Sequence, residues 1–429
     1  MKKIDAPYLI IGNSTAAVAC IEGIRSLDPE GPIALLSREE RHTYSRPLIS
    51  YLLGEEISED RMYYRAMDFY KKNNVRAFLG CEATKIDAGK KTVHSSDGRE
   101  FSYEKLLIAT GGTPITPDIP GMESEGVFHL YSWKDAEEIR SCIRTRKVKK
   151  AVVLGGGLIG IKATEALLAL GVGVELVELA GHVLVAMLDE SAAGIVHKAL
   201  GEKGVRVHCN TTVSEIRSSY GAASGVTLDS GVNLPCELVI PAIGVKPDTA
   251  LAGKAGIETD RGILVDEGMR TGVPDIFAAG DVTQGYDRVL GVSRPIAIFP
   301  GAFRQGRIAG VNMAGGGETS SGNMAMNSVS VCGVPTISVG MIRPVEGCRE
   351  IRRMDERAGS YKKIILRDGR VVGAMFVKEV DRAGIYTGLI RSGVDVSEIQ
   401  DDLATDDFGL LRLPREYRKY VVSGTGIEL

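Results

Sequence analysis

Two segments of this 429-residue chain repeat one design. PYLIIGNSTAAVACIEGI (7–24) and AVVLGGGLIGIKATEALLAL (151–170) each run from a short apolar strand through a glycine turn into an alanine-rich helix. Such a turn gathers free backbone N–H groups at the positive end of a helix, and its glycines let a pyrophosphate approach the main chain. Two more segments match in the same way. KLLIATGGTPITP (105–117) and ELVIPAIGVKPDT (237–249) both read as strand, small residue, glycine and proline. In both pairs the second copy follows the first by about 130 to 145 residues, which points to a duplicated nucleotide-binding unit. The alternative is two ordinary, unrelated α/β domains, since strands of this kind are common.

A third matching strand, DIFAAGDV (275–282), and a helical stretch, PGAFRQGRIAGVNMAG (300–315), lie beyond the second copy, so the chain is expected to leave its first domain and return. After the polar linker GGGETSSGN (315–323) the pattern changes to alternating strands, SVSVCGV, TISVGMI and YKKIILRDGRVVGAMFV, with Asp368-Gly369 as a hairpin turn. A short helix, 383–393, is expected to pack on them. The expected fold class is α/β, with two Rossmann-like dinucleotide-binding domains and a C-terminal α+β domain. One Rossmann-like domain comprises 1–114 and 237–316, and 115–236 is inserted in it. Residues 324–405 form the interface domain, and 406–429 read as a docking tail.

The 52 glycines show no collagen period and match the many strand-to-helix turns of such a fold. A net charge of −3 leaves no positive field for nucleic acid. PYLII is too short for a signal segment and nothing is long enough to span a bilayer, so the expected location is the cytoplasm, with no membrane contact. The seven cysteines, at 20, 81, 142, 209, 236, 332 and 348, have no metal-ligand spacing. They read as reduced, mostly buried thiols, and no metal site is expected.

In the second copy Gly155, Gly157 and Gly160, with Leu158 and Ile159 between them, satisfy GxGxxG after a strand. Glu178 follows 18 residues past Gly160, at the end of the next strand, where a carboxylate binds both ribose hydroxyls. It would repel a 2′-phosphate, and no arginine follows directly, so NAD(H) is preferred over NADP(H). The alternative for Glu178 is a solvated strand-end side chain. Ile243 and Gly244, in the second strand-glycine segment, are assigned to the same nucleotide. The first copy is degenerate: Gly12, Ser14 and Ala17 stand at the glycine positions, and Ser37-Arg38 sits where an acidic ribose ligand would be expected.

The order GNSTAA, YSRPLIS, LLIATGGTP, GGGLIG, VELVE, VIPAIG and IFAAGDV resembles the pyridine nucleotide-disulfide oxidoreductase superfamily, two-dinucleotide flavoproteins, over nearly the whole chain. YSRPLISYLLGE (44–55) is most similar to the NADH:rubredoxin reductases and the flavin domain of NADH-dependent nitrite reductase, and GLIRSGVDV (388–396) resembles their C-terminal domain. The resemblance implies FAD in the N-terminal unit and NADH in the inserted one. Asp281, after Gly280, would then bond the flavin ribitol, a helix cap being its alternative role. Ala109, Thr110 and Gly111 would sit near the FAD diphosphate or the crossover to the second domain. Arg46 and Pro47 would approach the flavin, Ala83 would offer backbone to the adenine, and the helix opening at Pro300 would aim its positive end at the flavin pyrimidine.

Many relatives carry a redox cysteine on the segment facing the flavin, but RHTYSRPLIS has none, which disfavours disulfide and sulfenate chemistry. In many relatives a glutamate near the flavin occupies the place of Lys162, often paired with a lysine near the place of Tyr51. One reading is a swap, with Lys162 as the cation near flavin N5. The other is a lysine that snorkels to solvent or pairs with Glu165. The expected activity is FAD-dependent NADH oxidation, with electrons leaving to a rubredoxin or ferredoxin. Alternatives are dioxygen as acceptor, electron flow from a ferredoxin to NAD, and a flavin-containing sensor or subunit of a larger redox complex. A homodimer through the C-terminal domain is a further expectation.

Overall fold

A computed structural model describes residues 3–405 and 408–413; most of the expected tail lies outside the described residues. The chain divides into two compact units. The first comprises Met1–Pro117, Phe128–Lys147 and Ile243–Asn323, and the second Asp118–Val127, Val148–Ala242 and the described residues from Met324 onward.

The first unit is built on a seven-stranded sheet. Strand Lys3–Ile11 lies at its centre, parallel to Ile33–Ser37 on one side and to Glu100–Ile108 on the other. Alternation along the strand decides which face each side chain joins. Ile10 packs under helices Thr15–Arg25 and Phe299–Met313, while Leu9 and Ile11 enter the core of the opposite face. The returning strand Ile276–Ala278 pairs in parallel with Leu106–Ile108, so the chain leaves this sheet and comes back. The two helices pack backbone to backbone: a Cβ on Gly310 would stand 2.1 Å from the Cys20 carbonyl oxygen.

The second unit holds a parallel sheet in the order Arg206–Cys209, Gly173–Glu178, Lys150–Leu154, Leu238–Pro241, with helices Leu158–Ala169 and Glu190–Glu202. Its C-terminal part is a five-stranded antiparallel sheet that carries helix Ala383–Ser392. Asp368 and Gly369, at φ 51° and 70°, form the expected hairpin turn between Ser360–Arg367 and Arg370–Val377.

The units divide the chain differently from the expected domains. Residues 237–242, expected in the first domain, lie in the second unit, where strand Leu238–Pro241 pairs in parallel with Lys150–Leu154. Residues 128–147, expected in the inserted domain, pack in the first unit, because Trp133 is fully buried there between Tyr44 and Tyr63, with Arg41 stacked 4.2 Å over its ring. The C-terminal sheet is one body with the second Rossmann-like part. Lys363, only 3% exposed, reaches Asp189 at 3.2 Å, and Tyr361 donates to the same carboxylate oxygen at 2.8 Å. Asp189 in turn caps helix Glu190–Glu202 through the Ala192 N–H. A buried ammonium needs such partners, and sequence periodicity does not reveal them. Among the described residues no helix is long and apolar enough to cross a membrane.

Candidate cofactor sites

In the first unit a cleft of about 410 Å³ opens where the first strand turns into its helix. Gly12, Ser14, Ser37, Arg38, Arg46, Ala83, Ala109, Thr110 and Gly111 all line it, though they come from five separate stretches of sequence. Gly12 has φ +123°, and a Cβ there would meet the Ala109 carbonyl oxygen at 2.1 Å, so this turn accepts no side chain. Helix Thr15–Arg25 starts at Ser14 without a side-chain cap, leaving its first N–H groups for an acceptor in the cleft. Ala17 does not line the cleft. It is fully buried in the helix–sheet core, where a small residue permits close packing.

Asp281 lies past the end of the returning strand, after Gly280 at φ +87°. No helix opens there; the chain turns into strand Thr283–Asp287, so the helix-cap alternative is not what the fold uses. The Asp281 carboxylate is mostly buried and has no hydrogen-bond partner among the described residues. Burial pushes its carboxyl above the usual range, with the charge of Arg46 pulling it partly back. Arg46 is itself held rigidly: it donates to the Tyr131 carbonyl at 3.1 Å, pairs with Glu39, and stacks over the rings of Tyr131 and Tyr44. Burial works against its charge, but Tyr44, Glu39 and Tyr131 more than offset this. Pro47 follows Arg46 in a short 3-10 turn, and Pro300 sits in the first turn of helix Phe299–Met313, which also lacks a side-chain cap. Tyr51 lies in the short helix Ile49–Leu53 and does not line the cleft.

The second unit repeats the strand–turn–helix. Gly155 takes φ +108°, Gly157 is the N-cap of helix Leu158–Ala169 without a side-chain bond, and Gly160 packs against Gly155. Leu158 is 39% exposed at the helix start, beside Ile159. Glu178 ends strand Gly173–Glu178 and accepts from the N–H of Gly156 at 2.5 Å and of Ala180 at 2.7 Å. These bonds fix the carboxylate beside the turn. Ile243 and Gly244 group with the first unit, where Gly244 at φ +133° accepts from the Ile115 N–H. Lys162 sits one turn into the helix. Its ammonium is 2.7 Å from Glu165 and 3.0 Å from the Ser330 carbonyl, and Glu165 also accepts from the Cys332 N–H. This is the pairing of the second reading of Lys162.

Both turns thus fit a dinucleotide, with glycine where a Cβ would collide and helix starts without side-chain caps; Asp281, without a hydrogen-bond partner among the described residues, does not itself line the first cleft. Sequence reasoning missed Glu39, Tyr131 and Asp248, which also line the first cleft. They come from loops far apart along the chain and carry no local motif. No disulfide joins any of the seven cysteines, all of which lie among the described residues. Cys20 is fully buried, 3.6 Å from the Met313 sulfur, and burial pushes its thiol well up.

Comparison with known proteins agrees. The pyridine nucleotide-disulphide oxidoreductase family model matches residues 6–306, and the rubredoxin NAD+ reductase C-terminal domain model matches 326–394. The chain is 33% identical to the NADH-dependent phenylglyoxylate dehydrogenase subunit epsilon of Aromatoleum evansii, over 92% of this chain and 93% of that one. It is 32% identical to the rubredoxin-NAD(+) reductase of Pseudomonas putida, over 72% of this chain and 80% of the relative. Among solved structures, an NAD-dependent persulfide reductase from A. fulgidus superposes with a TM-score of 0.85 at 29% identity, covering 95% of this chain and 79% of that one.

Proposed function

Since this chain belongs to the pyridine nucleotide-disulphide oxidoreductase family, we propose that it passes electrons from NADH through FAD to a small iron protein of the rubredoxin or ferredoxin type. It is an oxidoreductase of that family and uses FAD and NADH. FAD accepts electrons in a pair as hydride and can release them singly, which is the chemistry a one-electron acceptor needs. The chain's own groups bind and orient. The uncapped N-termini of helices Thr15–Arg25 and Leu158–Ala169 would receive the two diphosphates. Asp281 would accept from the flavin's ribityl chain, with Arg46 as a fixed cation beside it. Glu178 would accept the ribose hydroxyls of NADH.

The observation that carries the acceptor is the lack of any cysteine in residues 41–50, together with the full burial of Cys20, which pushes its thiol well up. Electrons then have no thiol on that segment to visit and leave from the flavin directly. The match of residues 326–394 to the rubredoxin NAD+ reductase C-terminal domain supports the same acceptor. Stopped-flow reoxidation of the NADH-reduced protein against rubredoxin, ferredoxin and dioxygen in parallel tests it. The iron proteins should reoxidise it faster than oxygen at equal concentration, and the reverse order would make it an NADH oxidase. A second reading, a subunit of a larger redox complex, is supported by the full-length likeness to the epsilon subunit. In that case all three acceptors would react slowly.

A further inference from the structure

Rossmann folds ordinarily hold an adenosine ribose with a carboxylate at the end of the second strand. In the first unit that strand, Ile33–Ser37, ends in Ser37 and Arg38. Glu39, the next carboxylate along, is already committed: one oxygen accepts from Tyr44 at 2.6 Å and the other pairs with Arg46. The cleft therefore lacks the usual ribose acceptor at its usual place.

Asp248 stands in the same cleft, brought there from the far side of the inserted segment. Its backbone is clamped, the N–H donating to the Gly111 carbonyl at 2.9 Å and the carbonyl accepting from Thr110 Oγ1 at 2.8 Å. The strand just before it, Val245–Pro247, pairs with Gly112–Pro114 and fixes its approach. Arg38 Nη1 lies 3.3 Å from Asp248 Oδ2, so the strand end that lacks a carboxylate holds one by its arginine. Oδ1 receives no donor among the described residues, and the side chain is only 22% exposed. A half-satisfied, oriented carboxylate facing a cleft is an acceptor in waiting.

We infer that Asp248 recognises the adenosine ribose of FAD, accepting a ribose hydroxyl on Oδ1 while Arg38 steadies Oδ2. This rests on FAD occupying the first cleft. Asp248 is thus a specificity-determining residue for the adenosine half of the cofactor, and Arg38 a positioning residue acting through it.

The test is a binding measurement on apoprotein, read by flavin fluorescence. Wild type, Asp248→Ala and Asp248→Asn are titrated with FAD and with an FAD analogue whose adenosine ribose lacks both hydroxyls. Asp248→Ala should weaken FAD about tenfold or more and leave analogue binding unchanged, and wild type should bind the analogue about as weakly as the variant binds FAD. Asp248→Asn, of equal size and still an acceptor, should fall between. Equal loss for both flavins in Asp248→Ala, or no loss for either, overturns the inference. Should the alanine variant fail to fold, equal wild-type affinity for the two flavins overturns it as well. A wild type that binds neither flavin removes the reading of the cleft itself along with this one.

Discussion

Gly160 faces the carbonyl oxygen of Gly155 so closely that a Cβ at position 160 would stand 1.9 Å from it. The first turn of helix Leu158–Ala169 and the end of strand Lys150–Leu154 are thereby pressed together, which aims the uncapped helix N–H groups at the space over the turn. In Gly160→Ala the helix must move away or the turn must open, at a cost of about 1–3 kcal/mol. We expect a lower melting temperature and NADH affinity reduced by about tenfold or more. Calorimetry and anaerobic NADH titration read the two effects, and wild-type affinity in the variant would mean that the turn has slack.

Asp281 should make the apoprotein sensitive to pH. Its carboxyl is raised, by burial first, with Arg46 opposing. A raised folded-state value means that folding favours the protonated form, so its contribution is fully present below the unfolded value, near ~3.9, and is lost as pH rises through the folded one. Flavin-free Asp281→Asn should therefore melt above wild type at neutral pH, and the gap should close as the buffer is acidified toward pH ~4. The same variant should bind FAD more weakly. A melting difference independent of pH would contradict the assignment.

Glu178 holds two backbone N–H groups and still has lone pairs for ribose. Glu178→Gln keeps the shape but removes the charge that would repel a 2′-phosphate. The KM for NADH should rise on the order of tenfold, and the preference for NADH over NADPH should shrink. Steady-state kinetics with both nucleotides measure this. An undiminished preference would leave Glu178 as a loop anchor alone.

Lys162, bonded to Glu165 and Ser330, is already satisfied within its own unit. Lys162→Met should change the rate of flavin reduction by NADH no more than about twofold and lower the melting temperature slightly through loss of that pairing. A tenfold slower reduction in the stopped flow would return the side chain to the chemistry.

Local spacing made the two glycine turns, the carboxylate of Glu178 at its strand end and the Asp368-Gly369 hairpin legible, because each depends on residues close together in sequence. The same reasoning put residues 128–147 in the inserted domain, since nothing near Trp133 in sequence tells that its pocket is made by Tyr44 and Tyr63. It left Asp248 unnoticed for the same reason. An aspartate after a proline is ordinary until Thr110, Gly111 and Arg38 are found around it. Lys162 shows the opposite case: helix spacing alone offered the pairing with Glu165, the family resemblance offered the role beside the flavin, and the ammonium lies 2.7 Å from Glu165.

The amino-acid order was enough for what short-range sterics and hydrogen bonding dictate. Glycines stand where φ is positive or a carbonyl is in the way, apolar residues run continuously along strands buried on both faces, and an acidic residue ends the strand beside the second turn. Folding alone brought together groups more than a hundred residues apart. Asp248 reached Arg38 and Lys363 found Asp189. Charged groups enter such places only because distant partners compensate their desolvation, and that compensation exists only once the chain has closed around them.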